Sequence, residues 1–334
     1  MTPVLAIGRI SVTYRTAHGA AAVLDDVSLE VRPGEIVGLV GETGCGKTTL
    51  AKAVLGTLPQ HQARIVAGEV HVDGIDMLQD AAAARHARGR IVTLVPQDPY
   101  ASLNPLFRIG TQIIDLMRHT APAETRRLFG RRRRRYEEAA LAMLAALHLP
   151  NGAEVMNQYP HQLSGGQRQR VMMAMALLPQ PRIIIADEPT AALDASVQAQ
   201  VLHLLRSIAE ERGVGVLFTT HNLGAAWEVC DRIVVMHAGR VVESAGRDAF
   251  FARPLHPYAQ QLLSSMPRLG RTTTEAPTDA APPPASAAGC LFSARCPRQS
   301  PVCRAVRPSL DPRAPGHLVA CHHVWTAGAS SAYS

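Results

Sequence analysis

Lysine is almost absent from this chain of 334 residues. Only Lys47 and Lys52 occur among 34 basic side chains, and arginine supplies the rest. Aromatic residues are also few, at 4% of the sequence, which leaves little material for stacking nucleic-acid bases on exposed rings. No apolar run approaches the roughly 20 residues that a membrane-spanning helix needs. The first residues, Met1-Thr2-Pro3-Val4-Leu5-Ala6-Ile7, lack the charged start and long apolar centre of a secretory signal. The expectation is a cytoplasmic protein that touches a membrane only through partners. The length suits one large α/β domain with an appendage.

Where lysine is so rare, the setting of Lys47 is informative. It lies in Gly41-Glu42-Thr43-Gly44-Cys45-Gly46-Lys47-Thr48, followed by Thr49. The apolar run Ile36-Val37-Gly38-Leu39-Val40 precedes it, and residues 50–55 have helical composition. Strand, glycine loop and helix is the context in which G-x-x-x-x-G-K-[ST] cradles phosphates. The glycines let backbone N–H groups turn inward, and the new helix points its positive end at the same place. Lys47 is placed for β- and γ-phosphates, and Thr48 for Mg²⁺. A compact ammonium suits so crowded a cradle better than a planar guanidinium. Lys52 reads as a solvated helix residue.

Upstream, residues 4–31 read as short strands around a turn, with Tyr14 placed where a ring could stack on adenine. Glu69 to Gly74 alternates and ends in Asp-Gly, a hairpin signal. Ile91 to Val95 reads as a buried strand that delivers Gln97. Residues 103–163 carry helical patterns and no strand signal, so a helical insertion is expected there. It ends at Leu163-Ser164-Gly165-Gly166-Gln167, a second helix start with exposed N–H groups and a serine hydroxyl. Ile183-Ile184-Ile185 suits a strand buried on both faces. At its end Asp187 offers an oxygen for Mg²⁺ and Glu188 a base for an attacking water. The run Val214 to Thr220 brings His221 to the same edge, and a hairpin over residues 232–242 follows.

Two features stand outside this series. Net charge is +7, and Arg131 to Arg135 concentrate five positive charges. Such a run could meet nucleic acid or an anionic membrane; a solvated helical face is the reading preferred here. After a Pro/Ala-rich stretch at 271–288 come Cys290, Cys296, Cys303 and Cys321. With no C-x-x-C pair the spacing is not that of a zinc finger. A four-iron–four-sulfur (4Fe–4S) cluster, Zn²⁺ helped by His317, His322 or His323, and free thiols all remain open.

Taken together, these residues resemble the ATP-binding subunit of an ABC transporter. Leu163 to Gln167 is similar to that family's signature, Tyr14 to its A-loop aromatic and Gln97 to its Q-loop. Asp187 and Glu188 resemble the Walker B pair, Asp194 the D-loop and His221 the switch histidine. The likeness covers about residues 4–250. A narrower one, to the oligopeptide/dipeptide import branch with its nickel and glutathione relatives, rests on Pro96-Gln97-Asp98-Pro99, on His256-Pro257-Tyr258 and on the cysteine tail. The stretch from Gln62 to Glu69 resembles the first of the two ATPase subunits such systems carry.

The resemblance implies an α/β fold: a P-loop NTPase (RecA-like) core with an antiparallel β subdomain, a helical insertion and a small Cys-rich C-terminal extension. The expected division is 1–255 for the ATP-binding domain, 256–270 for a connection, 271–288 for a linker and 289–325 for the cysteine module. It implies ATP and Mg²⁺ as ligands, with Thr48, Gln97 and Asp187 around the metal. It also implies hydrolysis by Glu188 with His221, Lys47 and Gln97. Nucleotide would bind against Tyr14, residues 41–49 and Asp194, with Ser164, Gly165, Gly166 and Gln167 acting across a head-to-tail dimer. The implied partners are a second, non-identical ATPase subunit, two membrane permease subunits and, indirectly, a substrate-binding protein, all on the cytoplasmic face of the inner membrane. The 4Fe–4S cluster is supported by the import branch. The rival from another class is an ABC-type ATPase acting on nucleic acid or ribosomes, and no nucleic-acid partner is expected.

Overall fold

The computed structural model describes residues 2–17, 19–120, 132–149, 151–191, 193, 195–266 and 288–324. Arg126, Arg127, Arg131, Asp194 and residues 271–287 lie outside the described residues.

Two sheets carry the fold. The strands β1 (Leu5–Thr16), β2 (Gly19–Val31), β4 (Ala63–Val72) and β5 (Ile75–Asp76) form an antiparallel sheet in the order β2-β1-β4-β5. The short strands expected near the start are thus two long ones, paired from Leu5↔Val31 to Thr16↔Gly19. The Asp73-Gly74 turn joins β4 to β5 as a hairpin.

The second sheet has eight strands in the order β11-β12-β10-β9-β3-β8-β7-β6. Its members are β3 (Ile36–Val40), β6 (Val92–Val95), β7 (Ile183–Asp187), β8 (Gly215–Thr220), β9 (Arg232–His237), β10 (Arg240–Gly246), β11 (Asp311–Ala314) and β12 (His317–Val319). From β9 to β6 every pairing is parallel. Every residue of β3, β7 and β8 is buried, as parallel strands covered on both faces require. The run at 91–95 is shorter and less buried than its composition suggests. The strand starts at Val92, and Leu94 is 39% exposed, because β6 ends the sheet and has a neighbour on one side only.

Residues 103–163 hold helices and no strand among the described residues. Ile109 and Ile113 of the helix Ile109–Thr120, and Tyr136, Ala140 and Leu144 of the helix Arg132–Ala146, are fully or almost fully buried in one core. Their spacing of four puts each set on one helix face. Arg133 pairs with Glu137 at 2.9 Å, and on the opposite face Arg134 pairs with Glu138 at 3.2 Å. Arg133 and Arg134 are therefore exposed and paired within their own helix, and such pairs add only a few tenths of a kcal/mol each.

The cysteine tail does not stand apart from the main sheet. Its strand β12 pairs with β10, Glu243↔Val319. At this seam the Glu243 carboxylate has no exposed surface, yet it accepts the N–H groups of Leu255 and His256 at 2.8 and 2.7 Å and meets His317 Nε2 at 2.7 Å. A buried charge persists only when satisfied in this way.

Candidate active site

The parallel strands end together, and that shared edge assembles the site. Register places Val40 beside Thr220, Asp187 beside Thr219, and Val95 beside Ala186. The loops leaving β3, β6, β7 and β8 therefore emerge side by side, in the crevice where open α/β sheets bind ligands.

After β3 the chain turns through Gly41 to Gly46 into the helix Lys47–Leu55. Gly46 is left-handed at φ 110°, and a Cβ there would sit 2.7 Å from Leu24 Cδ2 and 3.1 Å from the Val23 carbonyl. Only glycine fits both demands. No side chain caps this helix, so its first N–H groups are left to a ligand, the arrangement that binds phosphate. Lys47 is 5% exposed, and its Nζ donates to the carbonyls of Gly41 at 2.8 Å and Glu42 at 3.2 Å. The ammonium is thereby centred inside the loop. Cys45 is buried beside it, which pushes its thiol up despite the nearby lysine charge.

Thr48 Oγ1 lies 3.5 Å from Asp187 Oδ1, two hard oxygen donors of the kind Mg²⁺ takes. The Thr219 hydroxyl donates to the same Asp187 oxygen and accepts the Glu188 N–H at 3.2 Å. Glu188 itself is left-handed at φ 45°, a strained state for a residue with a Cβ, costing of order 1–3 kcal/mol. Its carboxylate sits between two side chains. Gln97 Nε2 donates to Oε2 at 3.0 Å, and His221 Nδ1 lies 3.1 Å from Oε1. Gln97 and His221 each precede an N-cap by one residue: Asp98 accepts from Tyr100 and Ala101, and Asn222 from Gly224 and Ala225. These caps fix the chain directly after each site residue.

Tyr14 is half-buried on β1 and packs on the core beneath that sheet. The signature stretch is elsewhere. Ser164 caps the helix Gly165–Leu177, accepting from Gln167 N at 3.2 Å, while Gln167 Oε1 accepts the Ser164 N–H at 2.9 Å. Ser164 and Gly165 are exposed, and a Cβ on Gly165 would meet nothing within 4 Å. This helix tip is built locally and faces outward, whereas Lys47, Thr48, Asp187, Glu188, Gln97 and His221 come together. Thr219 was missed by sequence reasoning, although it lies two residues before His221. So were Tyr258, whose hydroxyl accepts the Glu42 N–H at 2.9 Å, and Arg295, described below.

Cys290, Cys296, Cys303 and Cys321 line one narrow cavity together with His256, His322 and His323. Its volume is about 10 Å³, room for one water. Burial pushes the Cys290 and Cys296 thiols up, and that of Cys321 to about 11. Among the described residues no group of three or more His, Cys, Asp or Glu is arranged to hold a metal ion. As they stand, these thiols do not form a single-ion site.

Residues 24–191 match the family described as ABC transporter, and residues 242–303 match the C-terminal region of oligopeptide/dipeptide transporters. The chain belongs to the ABC transporter family. Its relatives include a probable peptide ABC transporter ATP-binding protein of Sinorhizobium fredii, 41% identical over 89% of this chain and 88% of that one. Another is the dipeptide transport ATP-binding protein DppD of Bacillus subtilis, 37% identical over 96% of this chain and 95% of the relative. Among solved structures, the dimeric structure of a bacterial ABC transporter cassette superposes with a TM-score of 0.63 at 28% identity, covering 73% of this chain and 98% of the cassette. A post-hydrolysis dimer of such a cassette with ADP and phosphate gives 0.60 at the same identity and coverage. This ABC protein is an ATP-binding ATPase. No helix among its described residues is long and apolar enough to cross a membrane.

Proposed function

We propose that this chain is the ATP-hydrolysing subunit of an importer of di- or oligopeptides. It works as a head-to-tail ATPase dimer with a second, non-identical subunit, on the cytoplasmic face of the membrane against two permease subunits. The single observation that carries the dimer is the separation of two half-sites. The Lys47 cradle is complete on its own edge of the sheet, while the Ser164-Gly165-Gly166 tip is capped, exposed and open. A partner's tip would close this cradle, and this tip would close the partner's. The dimeric cassette among the similar structures supports that arrangement.

Within the cradle Lys47 and the uncapped N–H groups hold the phosphates, and Tyr14 stacks on the base. Thr48, Asp187 and Gln97 would hold Mg²⁺, which would supply charge neutralisation at the phosphate oxygens. Glu188 takes the proton of the attacking water, with His221 fixing the carboxylate, and Asp194 is assigned to the nucleotide contact. Peptide as cargo is supported by the match over residues 242–303 and by the relatives' descriptions. Glu188→Gln with ATP should accumulate a closed dimer with the partner subunit, and adding Ser164→Ala should dissolve it. A strict monomer hydrolysing ATP at full rate would overturn the dimer.

For the tail we propose that the four cysteines hold a 4Fe–4S cluster. All four thiols line one cavity, and four thiolates are the number of ligands such a cluster takes. Brown protein with four irons per chain after anaerobic purification is the expected result; colourless protein with stoichiometric zinc would overturn it.

A further inference from the structure

Glu42, the first variable residue of the phosphate loop, is tied down at three points. Its N–H donates to Tyr258 Oη at 2.9 Å, and its carbonyl accepts Lys47 Nζ at 3.2 Å. Its carboxylate is gripped by both terminal nitrogens of Arg295, at 3.0 and 2.9 Å. Arg295 belongs to the cysteine-bearing tail, 253 residues further along the chain, and Cys296 follows it directly.

We propose that Arg295 is a positioning residue of the ATP site: it holds the phosphate loop in its binding shape and cancels the Glu42 charge beside the incoming polyphosphate. The proposal rests on the nucleotide reading of the Lys47 loop. Most exposed ion pairs do little, but this one differs in two respects. It is bidentate, the strong and directional form of an arginine–carboxylate contact, and both ends are fixed. Arg295 closes the short turn Ser293–Arg295, and its guanidinium lies 5.7 Å over the Phe292 ring. Phe292 is 2% exposed and packs against Tyr258 at 5.5 Å and His237 at 5.4 Å. The same aromatic cluster therefore buttresses both groups that hold Glu42 from the tail side, Arg295 and Tyr258. Burial pulls His237 down, with Glu42 opposing, so Arg295 is the permanent cation at this carboxylate's outer end. Its contact holds the Glu42 carboxyl below the usual range.

Without Arg295 a free carboxylate would stand one residue from the start of the phosphate cradle. ATP affinity should then fall while chemistry at saturation is spared, because Glu188 and Gln97 are not touched. The test is equilibrium binding of a fluorescent ATP analogue, with steady-state hydrolysis, on the full chain with its partner subunit. Arg295→Ala is expected to weaken nucleotide binding and raise KM by about tenfold, with kcat little changed. Arg295→Lys keeps the charge but not the fork and should fall between; it carries the test if the alanine variant does not fold. Glu42→Gln combined with Arg295→Ala should recover most of the lost affinity, a rescue that a purely structural contact would not give. Unchanged affinity in both arginine variants, or a double variant no tighter than Arg295→Ala, would overturn the proposal. Lys47→Ala separates the two readings. If it binds ATP as the wild type does, the nucleotide assignment of the loop fails; if it loses ATP while Arg295→Ala keeps it, only the role of Arg295 fails.

Discussion

Gln97 donates to Glu188 across 3.0 Å, joining the carboxyl ends of two neighbouring parallel strands, β6 and β7. The amide thereby holds one oxygen of the carboxylate while His221 meets the other. Removing the charge of Glu188 should remove the base and leave the cradle intact. Glu188→Gln is expected to keep ATP binding and lose about 10²–10⁴-fold in kcat. Normal turnover in single-turnover assays would refute the assignment.

Lys47 is enclosed by the carbonyls of its own loop, so the site is specific for shape as well as charge. Lys47→Arg should behave nearly as badly as Lys47→Ala, because the planar fork does not fit where the ammonium sits. Isothermal titration with ATP measures this. An arginine variant with wild-type affinity would show that charge alone suffices.

Gly165 and Gly166 are adjacent but differ in surroundings. A methyl group on Gly165 meets nothing within 4 Å, whereas one on Gly166 comes within 2.9 Å of Val197 Cγ1. Gly165→Ala should therefore leave the thermal midpoint of the monomer unchanged while lowering ATP-driven dimerisation and hydrolysis. Gly166→Ala should lower the midpoint as well. Full activity in Gly165→Ala would remove the helix tip from the dimer contact.

The Glu243–His317 contact fastens β12 to β10 in a fully buried setting. Because the carboxylate already accepts two backbone N–H groups, His317 Nε2 is the donor between them. His317→Ala leaves part of a buried charge unsatisfied and should cost about 2–3 kcal/mol. The check is the thermal midpoint together with protease sensitivity of the tail. A midpoint within a degree of wild type would be inconsistent with this seam.

Acid should weaken the same region. Burial pulls His256 down to about 3, and its Nδ1 accepts the Tyr258 N–H at 3.0 Å, a role that requires the neutral ring. Between that value and the ordinary histidine range, the unfolded chain binds one more proton than the folded one. Stability therefore rises with pH across this window and falls on acidification, by about 1.4 kcal/mol per pH unit from this residue. His237, also lowered by burial, acts in the same direction. His256→Asn keeps an acceptor at the helix start and abolishes the titration. Its midpoint should fall less steeply from pH 6 to pH 4, and an unaltered slope would exclude His256.

Much of the site was legible along the chain because each piece is local. A glycine loop between strand and helix, an acidic pair after three isoleucines and a serine-capped helix start are each decided within about ten residues. Their common order on alternating strands and helices implied one sheet edge. Sequence alone thus determined the cradle, the acidic pair, the signature tip and the parallel core. The tertiary structure alone decided which side chains meet across that edge. Thr219 reaches Asp187 because β7 and β8 run parallel in one register, and no spacing rule links positions 32 residues apart. It also decided that the tail strands join the main sheet beside β10, which brings Arg295 to Glu42. Contacts of that range depend on strand order and on how much apolar surface each pairing buries, quantities that a linear pattern of residues does not record.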